Sequence, residues 1–119
     1  MGGVNLKLGQ RGEELAVKFL KKQGYRIISR NFKTPLGEID IIARHNETIV
    51  FIEVKTRESV VFGQPFEAVN RTKKQKIANV AMLYLKKFKD PPPCRFDVVS
   101  IYYGKDKQEC ELISDAFEI

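Results

Sequence analysis

Two carboxylates and one lysine stand within a strongly apolar stretch of this 119-residue chain. Twelve residues separate Asp40 from Glu53, and Lys55 follows Glu53 with one residue between them. Side chains alternate between the two faces of a strand, so Glu53 and Lys55 point to the same face, about 7 Å apart. A carboxylate in apolar surroundings costs free energy unless it is paired or binds a metal ion. The apolar surroundings therefore favour carboxylates that are paired or bind a metal ion over a cross-strand ion pair on a solvated sheet face.

Two apolar segments must hold these side chains in place. Residues 39–43 and 49–54 are rich in Ile and Val, and a polar break at residues 45–48 separates them, which is typical of an antiparallel hairpin of buried strands. A loop of two or four residues places Asp40 directly across from Glu53, with Cβ atoms roughly 5 Å apart. A loop of three or five residues would put the two acids on opposite faces of the sheet, so the loop length decides whether the site exists.

Helices are predicted on both sides of this hairpin in the sequence. Apolar residues at helical spacing predict a first helix over residues 10–23, with Gly24 as its C-terminal stop. A capping box of Thr72 and Gln75 predicts a second helix over residues 72–88, which three prolines then end. Further strands are predicted over residues 25–32, 95–102 and 108–113. The order α, β, β, β, α, β, β predicts an α/β fold whose mixed sheet is flanked by helices, with the fourth strand parallel to the third.

Glu13 is the candidate third acid. It precedes Ala16 and Leu20 by one and two helical turns, so it borders the buried face of the first helix, whereas Glu14 and Lys18 are expected to be exposed. The alternative is a first-turn glutamate that the helix dipole favours.

Composition excludes several classes of protein. The chain has 43% hydrophobic and 30% charged residues, as globular proteins do, and we expect a single domain over residues 1–119. There is no apolar run long enough for a bilayer and no signal-like segment, so we expect a cytoplasmic protein with no membrane partner. His45 is the only histidine; it is expected to be exposed in the hairpin turn, and it cannot build a His-rich zinc site. Cys94 and Cys110 lack C-x-x-C spacing and are expected to be reduced thiols.

A net charge of +6 makes nucleic acid the favoured partner. Cations in the first turn of the second helix oppose the helix dipole, so they lower helix stability unless an anion such as phosphate lies nearby. The alternative is that these residues belong to ordinary solvated helix faces. The candidate nucleic-acid-binding residues are Lys18, Lys21, Lys22, Arg57, Arg71, Lys73, Lys74, Gln75 and Lys76.

The chain resembles a known family over nearly its whole length. The matching segments include Gly12-Glu13, Gly37 to Asp40, and Val50 to Arg57, and they resemble the small bacterial YraN-like family, which is grouped with endonucleases. Asp40 and the Glu53-x-Lys55 triplet also resemble the PD-(D/E)xK nuclease core, and the family is similar in turn to archaeal Holliday-junction resolvases. Those resolvases are dimers that cut four-way junctions.

The resemblance implies a restriction-endonuclease-like fold and four catalytic residues, Glu13, Asp40, Glu53 and Lys55. It implies that Asp40, Glu53 and Glu13 bind Mg²⁺, for which Mn²⁺ can substitute, while the lysine orients or activates the attacking water. We therefore expect a metal-dependent endonuclease acting on DNA, including branched or structured DNA, and a homodimer. The alternatives are a non-catalytic nucleic-acid-binding module and a scaffold subunit that dimerises through the loop after Arg57. Intact acids favour the enzyme, because a polyanion binder gains by losing buried negative charge.

Overall fold

The computed structural model describes residues 8–57, 71–103 and 108–116. They form two helices and five strands in the predicted order α, β, β, β, α, β, β. The elements are α1 (Leu8–Lys22), β1 (Arg26–Thr34), β2 (Gly37–His45), β3 (Thr48–Arg57), α2 (Arg71–Leu85), β4 (Cys94–Tyr103) and β5 (Gln108–Ile113). The mixed sheet flanked by helices matches the restriction-endonuclease-like architecture expected from the sequence.

The hairpin of β2 and β3 has the register that brings the two acids together. His45 pairs with Thr48 across a two-residue turn, in which Asn46 has a φ of 57°. Asparagine tolerates this left-handed conformation because its short polar side chain bonds locally. The ladder continues to Ile41 opposite Ile52, so the next step along both strands is Asp40 opposite Glu53. The two-residue loop therefore confirms the prediction that an even loop length places Asp40 across from Glu53.

The sheet has the strand order β1-β2-β3-β4-β5, in which only β3 and β4 are parallel. The crossover from β3 to β4 contains α2, as the βαβ prediction required. Strand β5 pairs antiparallel with β4 at the edge of the sheet, which confirms its predicted place.

The two helices pack on opposite faces of the sheet. Ile49 and Phe51 of β3 lie in the core beneath α2, whereas Val50 and Ile52 lie in the core beneath α1. This alternation explains why the strand reads as an unbroken apolar run, because both of its faces are covered. Glu53, in phase with Phe51, therefore lies on the α2 face.

Both helices end close to their predicted limits. Gly24 follows α1 with a φ of 90°, the left-handed conformation that its predicted role as a C-terminal stop requires. Helix α2 ends at Leu85, three residues before the predicted end. The Phe88 amide still bonds to the Leu85 carbonyl at 3.1 Å and its ring packs on the core, which explains the apolar spacing beyond the helix.

A buried polar cluster lies at the amino ends of the parallel strands, and the sequence analysis missed it. Asp97, fully buried, accepts hydrogen bonds from the Tyr25 hydroxyl at 3.0 Å and from Arg95 Nε at 3.1 Å. It also accepts one from the Asp115 amide at 2.8 Å. His45 stacks on Tyr25 with ring centroids 4.3 Å apart, and its Nδ1 lies 3.2 Å from an Arg95 nitrogen. The expectation of an exposed His45 was wrong, because the turn folds back against this cluster.

Two further findings concern the rest of the chain. Among the described residues there is no helix whose length and apolar character would allow it to cross a membrane. The loop after Arg57, considered as a dimer interface, lies outside the described residues.

Candidate functional site

Asp40 and Glu53 lie at the point where the β2–β3 ladder ends. Beyond the pair of Ile41 and Ile52, the Val54 amide donates a hydrogen bond to Asp40 Oδ2 at 2.8 Å. The side chain of Asp40 is thus fixed by the backbone of the neighbouring strand. Glu53 is only 4% exposed, so its carboxylate lies inside the protein even though it is charged. The two acids share one face of the sheet, as predicted.

A cavity of about 450 Å³ opens beside this pair, between the hairpin and the first two turns of α2. The two acids form part of its wall on the sheet side, and α2 supplies the other side. The lining residues are Gly37, Glu38, Asp40, Glu53, Thr72, Lys73, Lys76 and Ile77. The predicted acids therefore face a space large enough for a cation with its water molecules.

Two ammonium groups meet on one oxygen of Glu53. Lys55 Nζ lies 3.6 Å from Glu53 Oε2, and Lys73 Nζ is in direct contact with the same oxygen. Lys55 comes from the same strand, whereas Lys73 reaches in from the first turn of α2. The sequence analysis identified Lys55 at the site but assigned Lys73 only to nucleic-acid binding.

The two acids share a single proton at neutral pH. Burial and the hydrogen bond to Glu53 together raise the pKa of Asp40 to about 8. Burial would also raise the pKa of Glu53, but the bond from Asp40 and the ion pair with Lys73 outweigh it and hold that pKa below its usual value. Asp40 is therefore the protonated partner and Glu53 the ionised one.

The pKa values of the two lysines are shifted in opposite directions. Burial lowers the pKa of Lys55, and the neighbouring charge of Lys73 adds to that effect against the attraction of Glu53. Burial also acts against the charge of Lys73, but its contact with Glu53 more than compensates and raises its pKa. Lys73 is thus the more firmly charged counter-ion of Glu53.

Glu13 is placed near the site but held by other groups. Its Oε1 accepts a hydrogen bond from Asn31 Nδ2 at 2.8 Å and lies 3.6 Å from a nitrogen of Arg30. It is close enough to contribute to the raised pKa of Asp40. Within the described ranges, no three side chains of the types that bind metals converge on one point. The role of Glu13 as a third metal ligand stays a prediction.

A close approach of α1 to β3 fixes where Glu13 sits. A Cβ atom at Gly12 would lie 2.0 Å from Thr56 Oγ1, which is shorter than any non-bonded contact. Glycine is thus required at this position for the helix to lie so close to the strand that carries Glu53 and Lys55. Gly12 and Glu13 are adjacent, so the contact also sets the height of Glu13 above the sheet.

The basic residues predicted to bind nucleic acid fall on two different faces. Lys18, Lys21 and Lys22 are exposed on α1, away from the cavity. The α2 residues lie on the same side of the sheet as the cavity, and Lys73 and Lys76 line it. Arg71, Gln75 and Lys76 are exposed, whereas Lys73 and Lys74 are partly buried. Arg57 ends β3, two residues beyond Lys55, and is partly buried. The basic residues of α2 therefore lie on the same side of the sheet as the carboxylate pair, and those of α1 lie on the opposite side.

The position of Lys73 left a signal in the sequence that could have been used. It precedes the buried Ile77 by four residues, so it lies on the inward stripe of α2 and not on its solvent face. A lysine on a buried stripe needs an acidic partner. Nothing in the sequence, however, says that α2 docks over Glu53.

Known proteins match this chain over almost its whole length. The model of the family described as "Uncharacterised protein family UPF0102" matches residues 12–101. A UPF0102 protein of Symbiobacterium thermophilum is 47% identical, with 96% of this chain and 98% of that protein covered. One from Caldicellulosiruptor saccharolyticus is 48% identical, with coverage of 93% and 97%. The matched residues contain both acids, both lysines and the elements that position them, so the chain belongs to the family UPF0102.

Proposed function

We propose that this protein is a metal-dependent endonuclease that hydrolyses phosphodiester bonds in DNA. The observation that carries the proposal is the pairing of Asp40 and Glu53 beside one cavity, with the ammonium groups of Lys55 and Lys73 on Glu53. Phosphodiester hydrolysis needs carboxylates that hold a cation and positive groups that stabilise the developing charge on phosphate. The resemblance of Asp40 and Glu53-x-Lys55 to the PD-(D/E)xK core supports the same chemistry.

The donor set of the cavity suits Mg²⁺ or Mn²⁺. Magnesium takes oxygen ligands, keeps several of its waters and is commonly held by one or two carboxylates. Asp40 and Glu53 would hold the ion, and Glu13 is proposed as a third ligand. The ion supplies positive charge at the phosphate and lowers the pKa of an attached water. Asp40 must release its proton for this, which is achievable because its pKa is about 8 and not higher.

The chain's own cations have distinct proposed roles. Lys55 is 23% exposed and its pKa is lowered by burial, so it combines access to solvent with a proton that is easily given up. It orients the attacking water and donates a hydrogen bond to the phosphate oxygen that gains charge. Arg57 and the basic residues of α2 contact phosphates on either side of the cut.

The finer substrate class is branched or structured DNA, cut by a homodimer. This part of the proposal rests on the likeness to archaeal Holliday-junction resolvases. The basic faces of α1 and α2 lie on opposite sides of the sheet. A substrate with more than one duplex arm could contact both faces, whereas a single straight duplex contacts one.

One observation favours a second candidate, a non-catalytic nucleic-acid-binding module. Because Asp40 and Glu53 share a proton, two ammonium groups face one negative charge. The cavity can therefore attract a phosphate without any metal ion. A scaffold subunit that dimerises after Arg57 would depend on residues 58–70, which are outside the described part of the chain.

A cleavage assay with paired variants tests the proposal. Labelled four-way junction, linear duplex and single-stranded DNA are incubated with Mg²⁺, Mn²⁺ or chelator. The wild type is expected to cut the junction only with metal. Asp40→Asn and Lys55→Ala are expected to lose cleavage but still bind DNA. Glu47→Gln, which changes an exposed residue of the hairpin turn, is expected to keep cleavage. Binding without cutting under every condition would support the binding module instead, and cutting by Asp40→Asn would contradict the assigned site.

A further inference from the structure

Lys73 occupies the position on Glu53 where a cation is needed. Its ammonium group contacts Oε2, the same oxygen that Lys55 approaches to 3.6 Å. Glu53 is 4% exposed, so a divalent ion that binds it must come within contact distance of these ammonium groups. Lys55 stands on the same strand, two residues away, and its side chain is only 23% exposed, against 43% for Lys73. Lys73 stands on a separate element across the cavity.

The surroundings of Lys73 make its charge costly unless an anion lies beside it. The first turn of α2 has no acidic residue, and its exposed backbone N–H groups repel cations. Glu53 provides the compensating charge, and the contact raises the pKa of Lys73. The lysine side chain is 43% exposed and lines a cavity of about 450 Å³, so it has room to swing away.

We propose that Lys73 is an exchangeable counter-ion: it holds Glu53 in the metal-free protein, gives way when a divalent cation enters, and then pairs with substrate phosphate. The inference rests on the proposed metal site at Asp40 and Glu53. A divalent cation on this oxygen would be repelled by both ammonium groups already beside it, and the departure of Lys73 relieves the larger part of that repulsion because Lys73 is the one in direct contact. Displacement of Lys73 thus lowers metal affinity and at the same time frees an ammonium group for the nucleic acid.

The exchange couples the two ligands. Once the cation has displaced Lys73, the lysine needs another anion, and the phosphate backbone supplies one. By linkage, nucleic acid that captures Lys73 must also favour metal binding by the same factor. The basic first turn of α2, unfavourable in the isolated helix, is favourable in the complex with DNA.

Metal affinity without nucleic acid gives the direct test. Mn²⁺ binding is measured by calorimetry and by electron paramagnetic resonance on the wild type, Lys73→Met and Lys73→Gln. Removal of the competing ammonium is expected to tighten Mn²⁺ binding at least about tenfold. Lys76→Met is the matched control, because Lys76 lines the same cavity on the same helix but is not among the ion pairs of Glu53 in the described residues. Its effect on metal affinity is expected to stay within about twofold.

The outcomes separate this inference from the proposed function. Tighter Mn²⁺ binding in Lys73→Met, together with a wild type that never cuts DNA, would leave the exchange standing and remove the nuclease. If the wild type cuts DNA while Lys73→Met and Lys76→Met bind Mn²⁺ with equal affinity, the nuclease would stand and the exchange would be overturned. Failure of all variants to bind Mn²⁺ at millimolar concentration would overturn the exchange. Thermal melts give a second readout: Lys73→Met should be less stable than wild type in chelator and gain more from Mg²⁺.

Discussion

Asp40 Oδ2 accepts its 2.8 Å hydrogen bond from the Val54 amide just beyond the last backbone pair of the β2–β3 ladder. A side chain thus continues the pairing where the backbone stops. The bond fixes the orientation of the carboxyl group beside Glu53, and burial together with the hydrogen bond to Glu53 raises the pKa of Asp40 to about 8. Geometry and protonation of the site therefore depend on one another.

Asp40→Asn should remove a pH dependence of stability. The pKa of Asp40 is 3.8 in an unperturbed chain and about 8 in the folded protein. Between those values the folded state holds a proton that the unfolded chain releases, so this group favours folding most below pH 4 and progressively less up to pH 8. The slope is at most about 1.4 kcal/mol per pH unit. Asparagine keeps the bond to Val54 and cannot ionise.

Urea unfolding in chelator at several values between pH 5 and pH 8 measures this effect. The stability of Asp40→Asn relative to wild type should rise steadily across the range. A constant difference over the whole range would show that Asp40 is ionised in the folded protein.

Glu53→Gln should destabilise the metal-free protein by about 1 to 3 kcal/mol, because it leaves the ammonium groups of Lys55 and Lys73 facing each other without an anion. Adding Lys73→Met to Glu53→Gln should recover part of the loss, as a double-mutant cycle by chemical unfolding would reveal. Additive losses would argue against the ion pair.

Gly12→Ala should destabilise the protein by about 1 to 3 kcal/mol through overpacking against Thr56. The sign is informative, because alanine is otherwise the better helix former by about 1 kcal/mol. The double variant with Thr56→Ala removes the oxygen that lies 2.0 Å from the new Cβ and should regain much of the stability. Thermal melts of the wild type and both variants measure these changes, and a Gly12→Ala more stable than wild type would mean that α1 lies farther from β3.

Lys74→Ala and Lys22→Ala should differ in their effect on DNA binding. Lys74 is on the cavity side and Lys22 is on α1, behind the sheet. On linear duplex, Lys74→Ala is expected to reduce the slope of log affinity against log salt by about 0.9, the contribution of one phosphate contact. Lys22→Ala should leave that slope unchanged. Fluorescence anisotropy at several salt concentrations measures both, and equal changes would place duplex on both faces.

The hairpin and the acid pair could be predicted because they depend on local rules. Side chains alternate with a period of two, and an even loop length puts Asp40 and Glu53 on one face without any knowledge of the rest of the fold. Lys73 could not be placed on Glu53 in the same way. Its position depends on how α2 docks on the sheet, and that follows from packing of Ile77, Val80 and their neighbours against β2 and β3.

The cluster around Asp97 could not be predicted from the sequence for a similar reason. In the segment of β4 an aspartate among apolar residues gives no sign of most of its partners, because all but Arg95 come from distant parts of the chain. Tyr25 lies 72 residues from Asp97, and His45 lies 50 from Arg95. Only the assembled sheet brings them together.

These long separations have a consequence for how the protein folds. The Asp97 cluster joins the start of β1, the hairpin turn, β4 and the segment after β5, so apart from the Arg95–Asp97 pair its bonds join residues that are distant in sequence. Loop-closure entropy is lost before its bonds form, and the parallel pairing of β3 with β4 carries the same delay. The hairpin, with its two-residue turn, closes locally and early. The carboxylate pair is therefore assembled before the chain is committed to its native topology, and the cluster at the opposite end of the strands is completed last.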